Sequence, residues 1–158
     1  MGINSELLLT KDGFKRFKNE LTHLKKHKRV KIAKQLKEAL SHGDIVDNSE
    51  YEDAKNNQAF VEGRIITIEK MLDKARPLEL NRGNGQQAVL GSTVKLKNTY
   101  TNKTCVYTLV STAESNPFEN KISDDSPVGK AVLGSAAGEQ VKVKAPAGIF
   151  YYKIEDIQ

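Results

Sequence analysis

Asp44 and Asp47 stand three residues apart in an acidic run. It continues through Glu50, Glu52 and Asp53 with no basic residue among them. Carboxylates at that spacing across a tight turn can converge on one hard cation, and Mg2+ takes oxygen ligands of this kind. Two such ligands are an incomplete set, because Mg2+ keeps most of its waters and draws on further carboxylates or phosphates. The pair therefore has the chemistry of half a metal site, finished by a partner. Local structure accounts for part of the run. Gly43-Asp44 is turn chemistry. Asp47-Asn48-Ser49-Glu50 fits a capping box, and acids in a first helical turn suit the helix dipole. Neither effect requires Asp44, nor so dense a cluster.

Two long helices flank the run. The first spans Thr10 to about Ser41, with Thr10 as N-cap and no proline to interrupt it. Apolar residues recur at Phe14, Phe17, Leu21 and Leu24, then resume at Ile32, Leu36 and Ala39. Between them, over Lys25 to Lys31, the rhythm slips by about four residues, a stutter that locally unwinds a coiled coil without ending it. His42-Gly43 supplies a glycine stop. The second helix spans about Ser49 to Ala75. Ala54, Gln58, Val61, Ile65, Ile68, Leu72 and Ala75 form its heptad seam, and Pro77 marks its end. Joined by a few residues, the two arms should fold back as an antiparallel hairpin with the acidic turn at its end. An arm of about 30 residues reaches roughly 45 Å. A rod of this kind has little interior, which fits an apolar fraction of 38% and the absence of Trp.

The expected organisation is α+β: a hairpin over 1–79 with its tip at 43–51, a linker over 80–87, and a globular domain over 88–158. Asn81-Arg82-Gly83-Asn84-Gly85 is polar and glycine-containing. Beyond it the apolar period becomes two, at Val94 and Leu96, Val106 to Val110, Val141 and Val143, and Ile149 to Ile157. Ser126-Pro127 opens a short helix that Gly134 closes. A small antiparallel sheet carrying one helix follows.

Charge is segregated along the hairpin. The first helix carries eleven lysines and arginines against Asp12, Glu20 and Glu38. Solvated coiled-coil faces usually mix signs so that i,i+4 pairs form. One-signed repulsion over several turns points instead to a phosphate-contacting surface. Lys34 and Lys37, nearest the acidic turn, and Arg29 behind them are the candidate contacts. One cysteine, Cys105, excludes an internal disulfide, and its strand-like setting predicts a buried thiol. No apolar stretch has the length of a signal peptide or a membrane span, so a cytoplasmic protein is expected.

HGDIVDNSEY followed by AKNNQAFVEGRI resembles the tip and descending helix of the Gre transcript cleavage factors, whose usual form is GDLxENAEY…EGRI. ISDDSPVGKAVLG is similar to their C-terminal ISxxSPxxxxLxG stretch, and LTKDGFKRFKNEL to their opening. Three colinear motifs cover essentially the whole chain. The resemblance implies an FKBP-like C-terminal domain and a bacterial-type RNA polymerase as partner. It implies a hairpin that enters the polymerase's secondary channel, and a factor that stimulates cleavage of backtracked RNA without being an enzyme itself. Asp44 and Asp47 match the tip acids, which would hold Mg2+ only together with the polymerase. Glu50 and Tyr51 match the family's Glu-Tyr pair, with Glu50 supporting the site. Asp125, Ser126 and Pro127 match the loop used against the polymerase. The basic shaft would meet the nascent RNA 3′ end, and a monomer with no membrane association is expected.

Asp47 departs from the family's more usual glutamate, keeping the charge with a shorter reach. A Gre-fold regulator that occupies the same channel without promoting cleavage is the alternative. A prolyl isomerase would want a cluster of large aromatics, of which this half offers few. A structural coiled coil predicts indifference to the tip charges.

Overall fold

The structure, a computed structural model, describes residues 7–41, 49–78 and 87–158. The stop at His42-Gly43, the turn bearing Asp44 and Asp47, and linker positions 80–86 lie outside the described residues. Among the described residues, Phe14–Ala75 form one compact unit, while those before Phe14 group with those from Arg76 onward. This grouping differs from a single division at 79. β1 (Leu7–Leu9) pairs with β2 (Ala75–Pro77), and Leu78 N–H donates to Leu9 O at 2.7 Å. The heptad seam predicts helix through Ala75, with Pro77 only as its end. Here that stretch is a strand.

In the hairpin unit the first arm comprises α1 (Lys11–His23), a π-helical turn over Leu24–Lys28, and α2 (Arg29–Ser41). The expected stutter is this π-turn, closed by Arg29 N–H donating to Leu24 O. Leu24 and Ile32 are eight positions apart, whereas two α turns take up about 7 residues. A turn with i→i+5 bonding absorbs the surplus residue, so Ile32 returns to the face that Leu24 occupies. The second arm is α3 (Ser49–Lys74), which buries Ala54, Val61, Ile65 and Ile68. Ile32, Val61 and Ile65 form the core of the seam, with Leu21, Leu24 and Leu36 packed against it. Full burial of a side chain such as Ile65 contributes roughly 1.5–3 kcal/mol.

The globular unit contains a five-stranded sheet in the order β5-β4-β3-β7-β6. Its strands are β3 (Thr93–Asn98), β4 (Thr104–Val110), β5 (Lys121–Ser123), β6 (Gln140–Ala145) and β7 (Gly148–Ile157). All neighbours are antiparallel except β4 and β5, which run parallel, and β3 carries a register shift at Lys95/Leu96. Val94, Leu96, Leu109, Val141 and Ile154 fill the core under Val132 of α4 (Pro127–Val132). Gly134, at φ 82°, follows α4, in keeping with the expected stop. Gln87 bridges to Ala136, so the linker's last residue already belongs to this unit. Cys105 is half-buried rather than buried, because β4 turns its first residues towards solvent.

Candidate functional site

The loop at Asp125 is built from its own backbone outward. Ser126 caps α4: its Oγ accepts the Gly129 N–H at 3.0 Å and donates to Ser123 O at 2.6 Å. Pro127 occupies the first helical turn, where a missing N–H costs nothing. The Asp125 N–H donates to Ser123 Oγ and to Asp124 Oδ1, both at 3.0 Å. Its carboxylate accepts the Thr112 hydroxyl at 3.3 Å and lies 3.5 Å from Lys130 Nζ. A Cβ on Gly129 would fall 2.0 Å from Ser123 O, so the helix can approach the loop only with glycine there. Asp125 and Pro127 face solvent while Ser126 is turned to the fold, which divides the expected trio between display and support.

Sequence reasoning missed the neighbours of this loop. Two single 3-10 turns, Thr112–Glu114 and Pro117–Glu119, precede β5. Asn116 caps the second, and Asn120 closes it in the left-handed conformation at φ 54°. That turn presents Phe118 fully exposed, at 100%. The Asn-Pro and Glu-Asn pairs around Phe118 were the available signals for a turn.

On the hairpin, the candidate phosphate contacts differ in availability. Arg29 is engaged across the arms, its Nε and Nη2 donating to Glu62 at 2.7 and 2.6 Å. Hydrogen bonding to Glu62 raises the guanidinium above its ordinary value, and Arg29 lowers the Glu62 carboxylate in return. Lys34 pairs with Glu38 at 3.6 Å on the exposed face. Lys37 is exposed and has no ion-pair partner among the described residues, nor have Lys26, Lys28 and Lys31, which the sequence reading did not single out. Two more pairs join the arms: Glu20 with Arg64 at 2.7 Å, and Lys25 with Glu69 at 2.5 Å.

Glu50 is exposed in the first turn of α3. With Glu38 and Asp53 it lines an open groove of about 310 Å³ between α2 and α3, floored by Ala39 and Ala54. These are hard oxygen donors of the type Mg2+ takes. Among the described residues no three metal-ligating side chains are arranged to hold an ion. Asp44 and Asp47 lie outside the described residues.

Residues 7–76 match the family model "Transcription elongation factor, N-terminal", and residues 83–158 match "Transcription elongation factor, GreA/GreB, C-term". The chain belongs to the GreA/GreB family of transcription elongation factors. Transcription elongation factor GreA of Syntrophomonas wolfei is 48% identical over 158 residues, covering 100% of this chain and 99% of the relative. The GreA of Thermoanaerobacter pseudethanolicus is 44% identical over 156 residues, covering 99% of each. Among solved structures, GreA factor homolog 1 of Thermus thermophilus is 34% identical and covers 97% of this chain and 99% of that one, with a TM-score of 0.45. As a GreA/GreB family member, the chain has the helical hairpin and the antiparallel-rich sheet domain that its sequence motifs imply. No helix among its described residues is long and apolar enough to cross a membrane.

Proposed function

We propose that this elongation factor binds bacterial-type RNA polymerase and stimulates the polymerase's own Mg2+-dependent cleavage of backtracked RNA. The observation that carries the proposal is the family match over residues 7–76 and 83–158, together with the Asp125 loop. That loop holds a charged and an apolar residue outward on a prebuilt frame, as docking without rearrangement needs. Asp125 and Pro127 make the contact and Ser126 holds their geometry.

The hairpin then enters the secondary channel. Lys37 and Lys34 meet phosphates of the nascent RNA 3′ segment, while Arg29 releases Glu62 if it is to join them. Asp44 and Asp47 are the residues that would hold Mg2+, with Glu50 supporting the site and polymerase carboxylates completing the set. Bound there, the ion would supply charge stabilisation for the attacking and leaving oxygens of an in-line displacement. The chain's part is delivery and charge; the catalyst is the polymerase, and the factor acts as a cytoplasmic monomer without an activity of its own.

The test is a defined backtracked complex assayed for transcript shortening. Asp44→Ala with Asp47→Ala should abolish stimulated cleavage and leave polymerase binding nearly intact. Undiminished cleavage by the double variant would sink the mechanism. Binding by the wild-type chain with no cleavage would favour a channel-occupying regulator.

A further inference from the structure

Glu114 is the one charged side chain buried among the described residues, at 3% exposure. A buried carboxylate is costly unless its oxygens are satisfied. Here Oε2 accepts the Thr10 backbone N–H at 2.7 Å, Oε1 accepts the Thr10 hydroxyl at 2.5 Å, and the Ser111 hydroxyl lies 3.4 Å from Oε2. Thr10 Oγ1 in turn accepts the Gly13 N–H at 3.0 Å, the N-cap bond of α1. The carboxylate thus lies at the positive end of a helix, where backbone N–H groups have no intrahelical partner.

In a capping box, a glutamate at the third helical position binds back to the N-cap N–H. Here that position is Gly13, and the carboxylate arrives from 104 residues away. A Cβ on Gly13 would stand 1.7 Å from Glu114 Oε1, so the missing side chain admits the remote one. The same 3-10 turn serves the docking loop. Thr112 bonds to Ser123 Oγ at 2.8 Å and to Asp125 Oδ2 at 3.3 Å. One three-residue turn therefore grips the loop with one residue and the start of α1 with another.

We infer that Glu114 is a positioning residue for stimulated cleavage, capping the start of α1 from the same segment that braces the docking loop. This rests on the polymerase-docking function proposed above. Glu114 touches neither RNA nor metal; it acts through Thr10.

The test uses the full chain with polymerase holding a backtracked transcript, and compares Glu114→Ala, Gly13→Ala and Glu114→Gln. Three quantities are measured: affinity for polymerase, cleavage rate at saturating factor, and amide exchange at Thr10 and Gly13 in the free chain. Glu114→Ala and Gly13→Ala should each speed exchange and lower saturated cleavage by about tenfold, the scale of one lost cap, with affinity unchanged. Glu114→Gln, which keeps an acceptor for the Thr10 N–H, should recover part of both. Wild-type exchange and wild-type saturated cleavage in Glu114→Ala would overturn the inference. So would a fall in affinity with saturated cleavage unchanged, the mark of a purely structural role. If the wild-type chain itself stimulates no cleavage, the docking function fails instead, and exchange alone decides the cap.

Discussion

Arg29 and Glu62 join the two arms of the hairpin through parallel hydrogen bonds of 2.7 and 2.6 Å. The bond from Arg29 holds the Glu62 carboxylate below its ordinary value. A carboxylate depressed in the folded state stabilises above its unfolded pKa, and that contribution fades as pH falls through the folded value. Arg29 is shifted the other way, upward, so its side of the pair stays charged at every accessible pH. The hairpin should therefore lose helicity on acidification below about pH 4. Glu62→Gln should remove this part of the acid transition, as followed by far-UV circular dichroism. Superimposable acid limbs in the two proteins would show that the pair contributes nothing.

Deleting Lys26 should leave the hairpin as stable as before, or more so. It lies in the π-turn, where one residue is surplus to the seam, and its removal allows ordinary α turns to link Leu24 to Ile32. Deleting Lys34, outside that turn, rotates Leu36 and Ala39 off the seam and should melt the tip end. Thermal denaturation of both deletions separates the outcomes.

Ile65→Ala should cost about 3 kcal/mol, within the range for emptying a packed aliphatic site. Ile65 is 2% exposed between Ile32 and Val61, and the neighbouring backbone is helical and poorly able to collapse. Urea unfolding of the whole chain should show the loss in the helical signal.

Gly129→Ala should weaken polymerase binding more than Ser126→Ala does. The new Cβ meets a backbone carbonyl at 2.0 Å, so either α4 or the Asp125 loop must move. Ser126→Ala removes one cap, about 1 kcal/mol, and leaves the loop's other bonds in place. Affinities for polymerase, measured beside melting temperatures, test the order.

Asp47→Glu should raise cleavage most when Mg2+ is scarce. The longer side chain reaches further towards a shared ion, and the gain should vanish at saturating metal. Equal activity across a Mg2+ titration would show that the shorter acid is no handicap.

The hairpin was legible because a single seam fixes both period and partner: Ala54, Val61, Ile65 and Ile68 are apolar in sequence and buried in the structure. The slip over Lys25 to Lys31 was legible as a break in rhythm. Its form as a π-turn was not, since an inserted residue can be taken up by unwinding or by one wide turn. Ser126 and Gly134 announced α4 through local chemistry. β5 escaped notice because three residues with one parallel neighbour show no alternation. Glu114 was invisible for a different reason: its partner is a threonine 104 positions away, and only the folded chain brings the two together. Arg29 looked like a free cation because charge in a sequence carries no record of what faces it.

The π-turn has a consequence for how such a shaft can vary. It takes in one residue more than two α turns would and still returns Ile32 to the seam. Angular phase is therefore kept while contour length changes, much as a slip coupling lets a drive shaft be extended without turning its far end. A hairpin built this way can gain a single residue and keep its two arms in mesh.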